Sequence, residues 1–424
     1  MYNNDSLEID DIRDSNCMNQ RIIKAINKSV VERNIQQLTL WIAQDDWRNY
    51  AKKYGASRNS IRLANLIEEE HPELSSSTFR VGGSGVKINA MYLAKWLVLA
   101  ASNFDAELAY SSLLELESSS DVNIYNLSLI SGVDFKGKAE LTDGIYFCDF
   151  GNLPQKIKGS VNNRLIELSS SNSSSANIHP PYTFLCQPMT SKLLSDELSV
   201  SNLTTMKDYV NNEFLIANFL SLFASNHAPC VELRWCILED TTPLSGIIDQ
   251  QETQYIEVVK PKHYDSWNDI DAKQITHLFR KYISMNEVLR LPLDISLARL
   301  CQAMNTWNNT NKAIDLGIAL ESVLTKPDTN GELTLQIKII GSKLASNELE
   351  KRKEIASLLS TAYSIRSSAV HDGILKDLYK VNGRGKLKPS IIMEETFPIL
   401  RRCLVKIIEQ SGLTKEDYEE LFFS

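Results

Sequence analysis

The hydrophobic pattern of the last third of the chain predicts a bundle of helices. From about position 267 onward, apolar residues recur at steps of three and four, which is the spacing of one face of an α-helix. The predicted helices span 270–286, 294–308, 310–325, 332–346, 349–372 and 390–411, and a short one starts at Lys415. Residues 313–324 are apolar nearly all round, which predicts a helix that is buried on every side.

The middle of the chain shows the alternation of apolar and polar residues that is typical of β-strands. Strands are predicted over most of 123–168, with Asp143-Gly144 as the turn of a hairpin. Further strands are predicted at 182–186, 231–237 and 255–259. A helix is predicted at 207–223 and a serine-rich loop at 169–175. Glu232 and Arg234 alternate with apolar neighbours as on a half-exposed strand, and we assign them no function.

The first quarter of the chain combines helical patterns with a hairpin that is rich in glycine. Helices are predicted at 30–54, from about 57 to 70 and at 90–103, with the hairpin at 79–88. The residues before about 20 are polar and acidic, and we expect a tail there.

These patterns predict an α+β multidomain protein. A chain of 424 residues is too long for one ordinary hydrophobic core. The predicted division is a tail at 1–28, a mainly helical N-terminal domain at 29–118, an α+β middle module at 119–266 and a helical bundle at 267–424.

Composition narrows the class of protein. An apolar content of 43% and a charged content of 23% are typical of a soluble globular protein, and no run of 18 apolar residues predicts a membrane span. Seven scattered cysteines without a CxxC pair favour reduced thiols and a cytoplasmic location. The histidines do not cluster, so we expect neither a metal site nor a cofactor. The net charge of −8 argues against a protein that coats nucleic acid non-specifically, but allows a local basic site.

Candidate chemistry appears in the predicted helix at 349–372. Ile355, Leu359, Ala362 and Arg366 share one helix face, so an arginine lies on an apolar stripe. Because arginines are rarely buried without a partner, Arg366 should face a ligand, an interface or a carboxylate. His371 follows five residues later, and Gly373 predicts the end of the helix. The structural alternatives are an ion pair between Arg366 and Glu321 and a capping or surface role for His371.

At these residues the chain resembles the HEPN superfamily of ribonucleases. That family carries an arginine, four to six intervening residues and a histidine near the end of a helix, as Arg366, 367–370 and His371 do here. Residues 314–324 and 363–373 are similar to the buried and active helices of the ApeA-like branch, and the resemblance covers about the last third of the chain. One departure is Ser367, where family members often have Asn, Asp or His.

The resemblance implies metal-independent RNA cleavage. His371 would transfer protons, because histidine titrates closest to neutral pH, and Arg366 would clamp the phosphate. Ser367 and Asp372 are candidate supporting residues. On an ideal helix, five residues at 100° each separate the two side chains by roughly 140°. The family solves this with a composite site between two chains, so the resemblance implies a homodimer.

A basic segment follows the candidate helix and is a candidate RNA-binding site. Its cations are Lys376, Lys380, Arg384, Lys386 and Lys388. Gly383 and Gly385 predict a loop, and the alternative is a solvated loop without function.

The N-terminal region carries a second, weaker resemblance. Ala51, Gly55 and Ile61 have the spacing of a helix-turn-helix, and the helix after the turn carries Arg58 and Arg62 as candidate DNA-binding residues. The glycine-rich hairpin and the alanine-rich helix with Trp96, within residues 35–115, are similar to the KilA-N nucleic-acid-binding module. The alternative is a helical domain without a nucleic-acid role.

The resemblances imply two functions. The first is an endoribonuclease effector of a bacterial antiphage defence or toxin–antitoxin type system, controlled by a phage-derived trigger or an inhibitory partner. The second is a non-catalytic HEPN-like protein for dimerisation and RNA binding, or a regulator that binds DNA through the N-terminal domain.

Overall fold

The structure is a computed structural model of the chain, and its fold is mixed α+β, as predicted. It describes residues 5–32, 48, 57–76, 78–81, 84–118, 121–142, 144–170, 181–192, 211–225, 227–245, 250–253, 264–326 and 331–423. Ala51 and Gly55 of the predicted helix-turn-helix, most of the predicted helix at 30–54 and the predicted strand at 255–259 lie outside the described residues.

The N-terminal part contains the predicted helices and hairpin, but it begins earlier than expected. Its elements are α1 (Asp5–Glu32), α2 (Arg58–Glu70), β1 (Thr78–Val81), β2 (Ser84–Lys87), α3 (Ala90–Asn103) and α4 (Ala106–Ser118). The tail predicted at 1–28 is therefore mostly helical. Ile22 and Ile26 of α1 are fully buried in a core shared with α2, α3 and α4. This packing stabilises α1, although the polar residues of its first turns show no pattern that predicts a helix.

The middle part is built on an antiparallel sheet. Its strands are β3 (Asp121–Ser131), β4 (Val133–Phe135), β5 (Lys138–Thr142), β6 (Ile145–Asp149), β7 (Thr183–Lys192), β8 (Cys230–Leu238) and β9 (Gln250–Thr253). Among the described residues, six of them form one sheet in the order β5-β6-β7-β3-β8-β9. Gly144, at the predicted turn between β5 and β6, has φ +80°, a conformation that glycine adopts without strain.

One segment of the middle part differs from the prediction. Residues Lys158–Ser170 form helix α5 and not a strand. The carboxylate of Asp240 accepts hydrogen bonds from the amides of Gly159 and Ser160 at 3.1 and 3.0 Å and so caps this helix. Because the cap lies 81 and 80 residues away in sequence, the local pattern does not reveal it.

The sheet and the C-terminal helices share one hydrophobic core. Strand β10 (Asp265–Trp267) pairs in parallel with β4, and helix α6 (Asp269–Ile283) packs against β5. Phe147 of the sheet and Tyr282 of α6 belong to the same buried cluster as the core of the later helices. The core thus continues across the predicted boundary between positions 266 and 267.

The remaining helices surround one central helix. They are α7 (Glu287–Asn305), α8 (Asn309–Leu324), α9 (Leu333–Ala345), α10 (Leu349–His371), α11 (Pro389–Glu409) and α12 (Lys415–Phe423). Helix α8 contacts α7, α9, α10 and α11, which explains its burial and confirms that prediction. None of the helices in the described part of the chain has the length and apolar content needed to cross a membrane.

A buried ion pair corrects the prediction for Arg234. Its side chain on β8 is only 3% exposed and pairs with Glu213, which is fully buried on the helical residues 211–220. Arg234 is therefore not on a half-exposed face. Burying a charge is unfavourable unless an opposite charge compensates it, so the pair fixes the position of the 211–220 helix on the sheet.

Removing one partner of this pair should strongly destabilise the fold. We expect Glu213→Ala to lower the free energy of unfolding by about 3–5 kcal/mol, because Arg234 then remains buried without that carboxylate. Denaturant unfolding followed by circular dichroism measures the change. The matched control is Glu350→Ala, because Glu350 is 80% exposed beside Lys353 and should change nothing measurable. Equal midpoints for the two variants would contradict a structural role for the pair.

Candidate functional site

Arg366 lies where the apolar stripe of α10 places it. Ile355, Leu359 and Ala362 are buried, and the Arg366 side chain one turn later is only 25% exposed. The helix remains regular to its end, because the Asp372 amide donates to the carbonyl oxygen of Ser368 at 2.9 Å. Gly373 follows with φ +67° and ends the helix, as predicted.

A glycine on α8 makes room for the aliphatic stem of Arg366. A Cβ atom added at Gly317 would lie 2.1 Å from Arg366 Cγ and 2.7 Å from Arg366 Cβ. Carbon atoms in contact prefer separations of roughly 3.5–4.0 Å, so no side chain fits there without displacing the arginine. The close approach of α8 and α10 therefore depends on glycine at position 317.

The guanidinium of Arg366 lies beside a carboxylate and an aromatic ring. Its Nη2 is 3.4 Å from Glu321 Oε2, and its Cζ is 5.5 Å from the ring centroid of Tyr363. The Tyr363 hydroxyl donates to the same Glu321 oxygen at 3.2 Å. Burial, followed by the charge of Glu321, raises the pKa of Tyr363, which therefore stays a neutral donor. The ion pair considered as the structural alternative for Arg366 is thus present.

This ion pair leaves part of the guanidinium unused. Arg366 Nε is buried and has no hydrogen-bond partner among the described residues. The contact with Glu321 is long and involves one nitrogen, whereas an arginine offers five N–H donors. The contact with Glu321 therefore leaves most of the N–H donors of Arg366 uncommitted.

His371 lies at the exposed end of α10. Within the described part of the chain, His371 and the predicted supporting residues Ser367 and Asp372 form no side-chain hydrogen bond or ion pair. Because the helix does not loosen, Arg366 and His371 of one chain stay roughly 140° apart around its axis. One chain alone thus does not bring the pair to one helix face.

Exposed apolar side chains occur in the last turn of α10 and in the segment that follows it. Val370, Ile374 and Leu378 are 48%, 74% and 48% exposed. Val370 lies one turn after Arg366, which places the two on neighbouring positions of one face. Large apolar side chains grouped at the surface often mark contact sites with another chain.

The predicted basic loop is a hairpin. Strands β11 (Tyr379–Val381) and β12 (Gly385–Leu387) pair antiparallel, and Gly383 and Gly385 have positive φ angles. The loop prediction was wrong because those glycines form the turn and its flank, while buried Tyr379 and Val381 anchor the hairpin on the bundle.

The hairpin brings its cations to different surroundings. The predicted cations Lys376, Lys380, Arg384, Lys386 and Lys388 are all exposed. Arg384 makes two hydrogen bonds to Glu395, which raise its own pKa and lower the pKa of the carboxyl. The Asn382 amide donates to Ser357 Oγ at 3.0 Å, so this turn lies about 20 Å along α10 from His371. The hairpin tip is therefore not beside His371.

The N-terminal candidates have a simpler environment. Arg58 and Arg62 are exposed on α2, one helical turn apart, while Leu63 and Ile67 are buried. Ser57 caps the helix, accepting from the Ser60 amide at 3.0 Å. Trp96 on α3 is buried in the N-terminal core and is not available for contact with a ligand.

Two further observations concern metal binding and similarity to known proteins. Among the described residues no cluster of three or more His, Cys, Asp or Glu side chains could hold a metal ion. Comparison of the chain with protein-family models, with curated proteins and with solved structures gives no match.

Gly317 was not singled out from the sequence, and its role can be tested. We expect Gly317→Ala to lower the free energy of unfolding by roughly 1–3 kcal/mol, because the new methyl overlaps Arg366. Denaturant unfolding measures the loss, and Gly331→Ala is the matched control, since nothing lies within 4 Å of its added Cβ.

A double-mutant cycle identifies the overlapping atoms. Arg366→Ala removes Cγ and Cδ, so the cost of Gly317→Ala should shrink in that background. An unchanged cost would mean that the arginine stem does not occupy the space above Gly317.

Proposed function

We propose that the chain is a metal-independent endoribonuclease, a cytoplasmic effector of a bacterial antiphage defence or toxin–antitoxin type system. The C-terminal helices would form an HEPN-type bundle with a composite Arg366/His371 site at a dimer interface. One observation carries this proposal. Arg366 is three-quarters buried on an apolar helix face, yet its Nε has no hydrogen-bond partner among the described residues.

The chemistry requires two groups that the helix end supplies. The ribose 2′-hydroxyl attacks the adjacent phosphorus, the bond to the 5′-oxygen breaks, and a 2′,3′-cyclic phosphate forms. The imidazole of His371 takes the proton from the 2′-hydroxyl, and water protonates the leaving 5′-oxygen and then recovers a proton from the imidazolium. Arg366 binds the phosphate oxygens as they gain negative charge, for which its planar fork of donors is suited.

The geometry of α10 supports the proposed dimer. Because the helix is regular through His371, the arginine and histidine of one chain point in different directions. A second chain packed on Val370 and Ile374, which are largely exposed, would bring its His371 toward Arg366. Burial of these apolar side chains would favour association.

The Arg366–Glu321 ion pair favours a second candidate function. If the pair is purely structural, the C-terminal helices form a non-catalytic dimerisation and RNA-binding module. Glu321→Gln distinguishes the two functions. A catalytic Arg366 should retain phosphate binding after this change. If Arg366 is only structural, it should lose its fixed position when the Glu321 carboxylate is removed, just as Glu321 does when Arg366 is removed.

Purified wild-type protein should cleave a mixed RNA pool, tRNA included, in the presence of EDTA. The products should carry cyclic-phosphate ends. We expect His371→Ala to lower the cleavage rate by roughly 10²–10⁴-fold, because general acid–base catalysis is lost. Arg366→Ala should have an effect of similar size, because the developing phosphate charge loses its clamp. Gel analysis of labelled RNA measures the rates.

The control is Lys353→Ala, an exposed change near the start of α10, which should cleave like wild type. Wild-type rates for both Arg366→Ala and His371→Ala would refute the proposed site. If purified wild-type protein cuts nothing, expression toxicity decides. Toxicity that either variant abolishes supports a restrained effector, and its absence supports the non-catalytic function.

A further inference from the structure

A second group of basic side chains lies in a groove between β5 and α6. The groove has a volume of about 610 Å³. Its charged or titratable lining residues are Lys138, Glu140, Lys273, His277, Arg280 and Lys281. None of them belongs to the candidate sites described above.

The groove arises because α6 is amphipathic and packs on the edge strand of the sheet. Ile275, Leu278 and Phe279 are buried in the shared core. Lys273, His277 and Arg280 recur at steps of four and three, so they form a stripe on another face of the helix. Both walls are thus held by the hydrophobic core, and the basic stripe borders a fixed groove.

The charge of the groove contrasts with that of the whole chain. The residues that line the groove include four permanent cations and one carboxylate, Glu140, in a protein of net charge −8. Within the described residues, no carboxylate forms an ion pair with Lys138, Lys273, Arg280 or Lys281. The acidic residues of α6, Asp269 and Asp271, lie in its first turn, where Asp271 accepts from the Asn268 amide at 2.8 Å.

Two of the cations, Lys138 and Lys281, contact groups that lie outside the groove lining, so the charge of the groove is carried mainly by Lys273 and Arg280. Lys138 Nζ lies 3.9 Å from the centroid of the Tyr146 ring, and Lys281 Nζ donates to the carbonyl oxygen of Glu409 at 3.2 Å. Neither contact neutralises the ammonium group. By comparison, Arg384 on the predicted basic segment is neutralised by Glu395.

We propose that this groove binds the phosphodiester backbone of single-stranded RNA. Lys273 and Arg280 lie about 10 Å apart along the helix, so they would contact different phosphates of one strand. Each cation that contacts a phosphate releases a bound counterion, which favours association at low salt. The inference rests on the proposed function in that RNA is the substrate, but binding does not require cleavage. A free polyphosphate also carries a row of negatively charged phosphates and is the alternative ligand.

The test is binding of a fluorescently labelled single-stranded oligoribonucleotide to the full-length His371→Ala protein, which should leave the RNA intact. Fluorescence anisotropy over a series of salt concentrations gives Kd and its salt dependence. In that background we expect Lys273→Glu/Arg280→Glu to raise Kd by roughly tenfold or more at low salt. The slope of log Kd against log salt should fall by about 0.7 for each phosphate that the variant no longer binds.

The matched control is Lys351→Glu/Lys353→Glu, which changes the net charge equally on an exposed face of α10. Its Kd should change less than about twofold, because these lysines lie outside the groove. Equal weakening by both double variants, or none by the groove variant, would overturn the proposal. If the Glu variant unfolds, Lys273→Gln/Arg280→Gln takes its place.

Competition with inorganic tripolyphosphate separates the two ligand sources. Displacement of RNA only at a large excess of tripolyphosphate supports a backbone groove. Tighter binding of tripolyphosphate than of RNA, abolished in the groove variant, would replace RNA by a free polyphosphate. Groove-dependent RNA binding by a wild-type protein that neither cleaves RNA nor is toxic on expression would refute the ribonuclease and leave the groove standing. Cleavage by wild-type protein without groove-dependent binding would support the ribonuclease and refute the groove.

Discussion

The close approach of α8 and α10 at Gly317 is the constraint on which the candidate site depends. A glycine there lets the stem of Arg366 lie against the backbone of the central helix, where any side chain would collide with it. Glu321, one turn further along α8, then meets the guanidinium, and Tyr363 binds the same carboxylate oxygen. The glycine, the carboxylate and the tyrosine together fix an arginine that is mostly buried but incompletely paired. Such preorganisation suits a group that must hold a phosphate without moving during the reaction.

The distribution of charge places positive side chains on rigid elements of an acidic protein. One face of helix α6 enters the shared core and so joins the sheet to the helical bundle. Another face carries Lys273 and Arg280. A local positive field in an otherwise negative molecule attracts a polyanion to one surface only. If RNA binds along the groove, the packing of α6 on β5 would also fix the direction in which the RNA strand lies.

The sequence pattern predicted much of the C-terminal part because its helices are long and strongly periodic. The stripe of Ile355, Leu359 and Ala362 correctly placed Arg366 on a mostly buried helix face, and Gly373 correctly marked the helix end. The Arg366–Glu321 pair was foreseen as an alternative, because a carboxylate on the neighbouring buried helix could face that stripe. The assignment of the arginine and histidine to one site stays a prediction.

Features that depend on distant residues were not predictable from local patterns. Arg234 alternates with apolar neighbours as an exposed residue would, and only the fold brings Glu213 to it. Helix α5 depends on a cap from Asp240, and the groove depends on the packing of α6 on β5. The hairpin at 379–387 was mistaken for a loop because two glycines near a turn are compatible with both. Local periodicity records which face of an element is buried, but not which partner covers it.

Subunit complementation tests the central claim, that Arg366 of one chain acts with His371 of another. Arg366→Ala and His371→Ala proteins, each inactive alone, would be mixed under conditions that exchange subunits, and RNA cleavage would be measured alongside heterodimer formation by native mass spectrometry. The account predicts that cleavage returns in proportion to the heterodimer, because each heterodimer contains one intact arginine and one intact histidine on opposite chains. Heterodimers without cleavage, while wild-type protein cleaves under the same conditions, would contradict a site shared between chains.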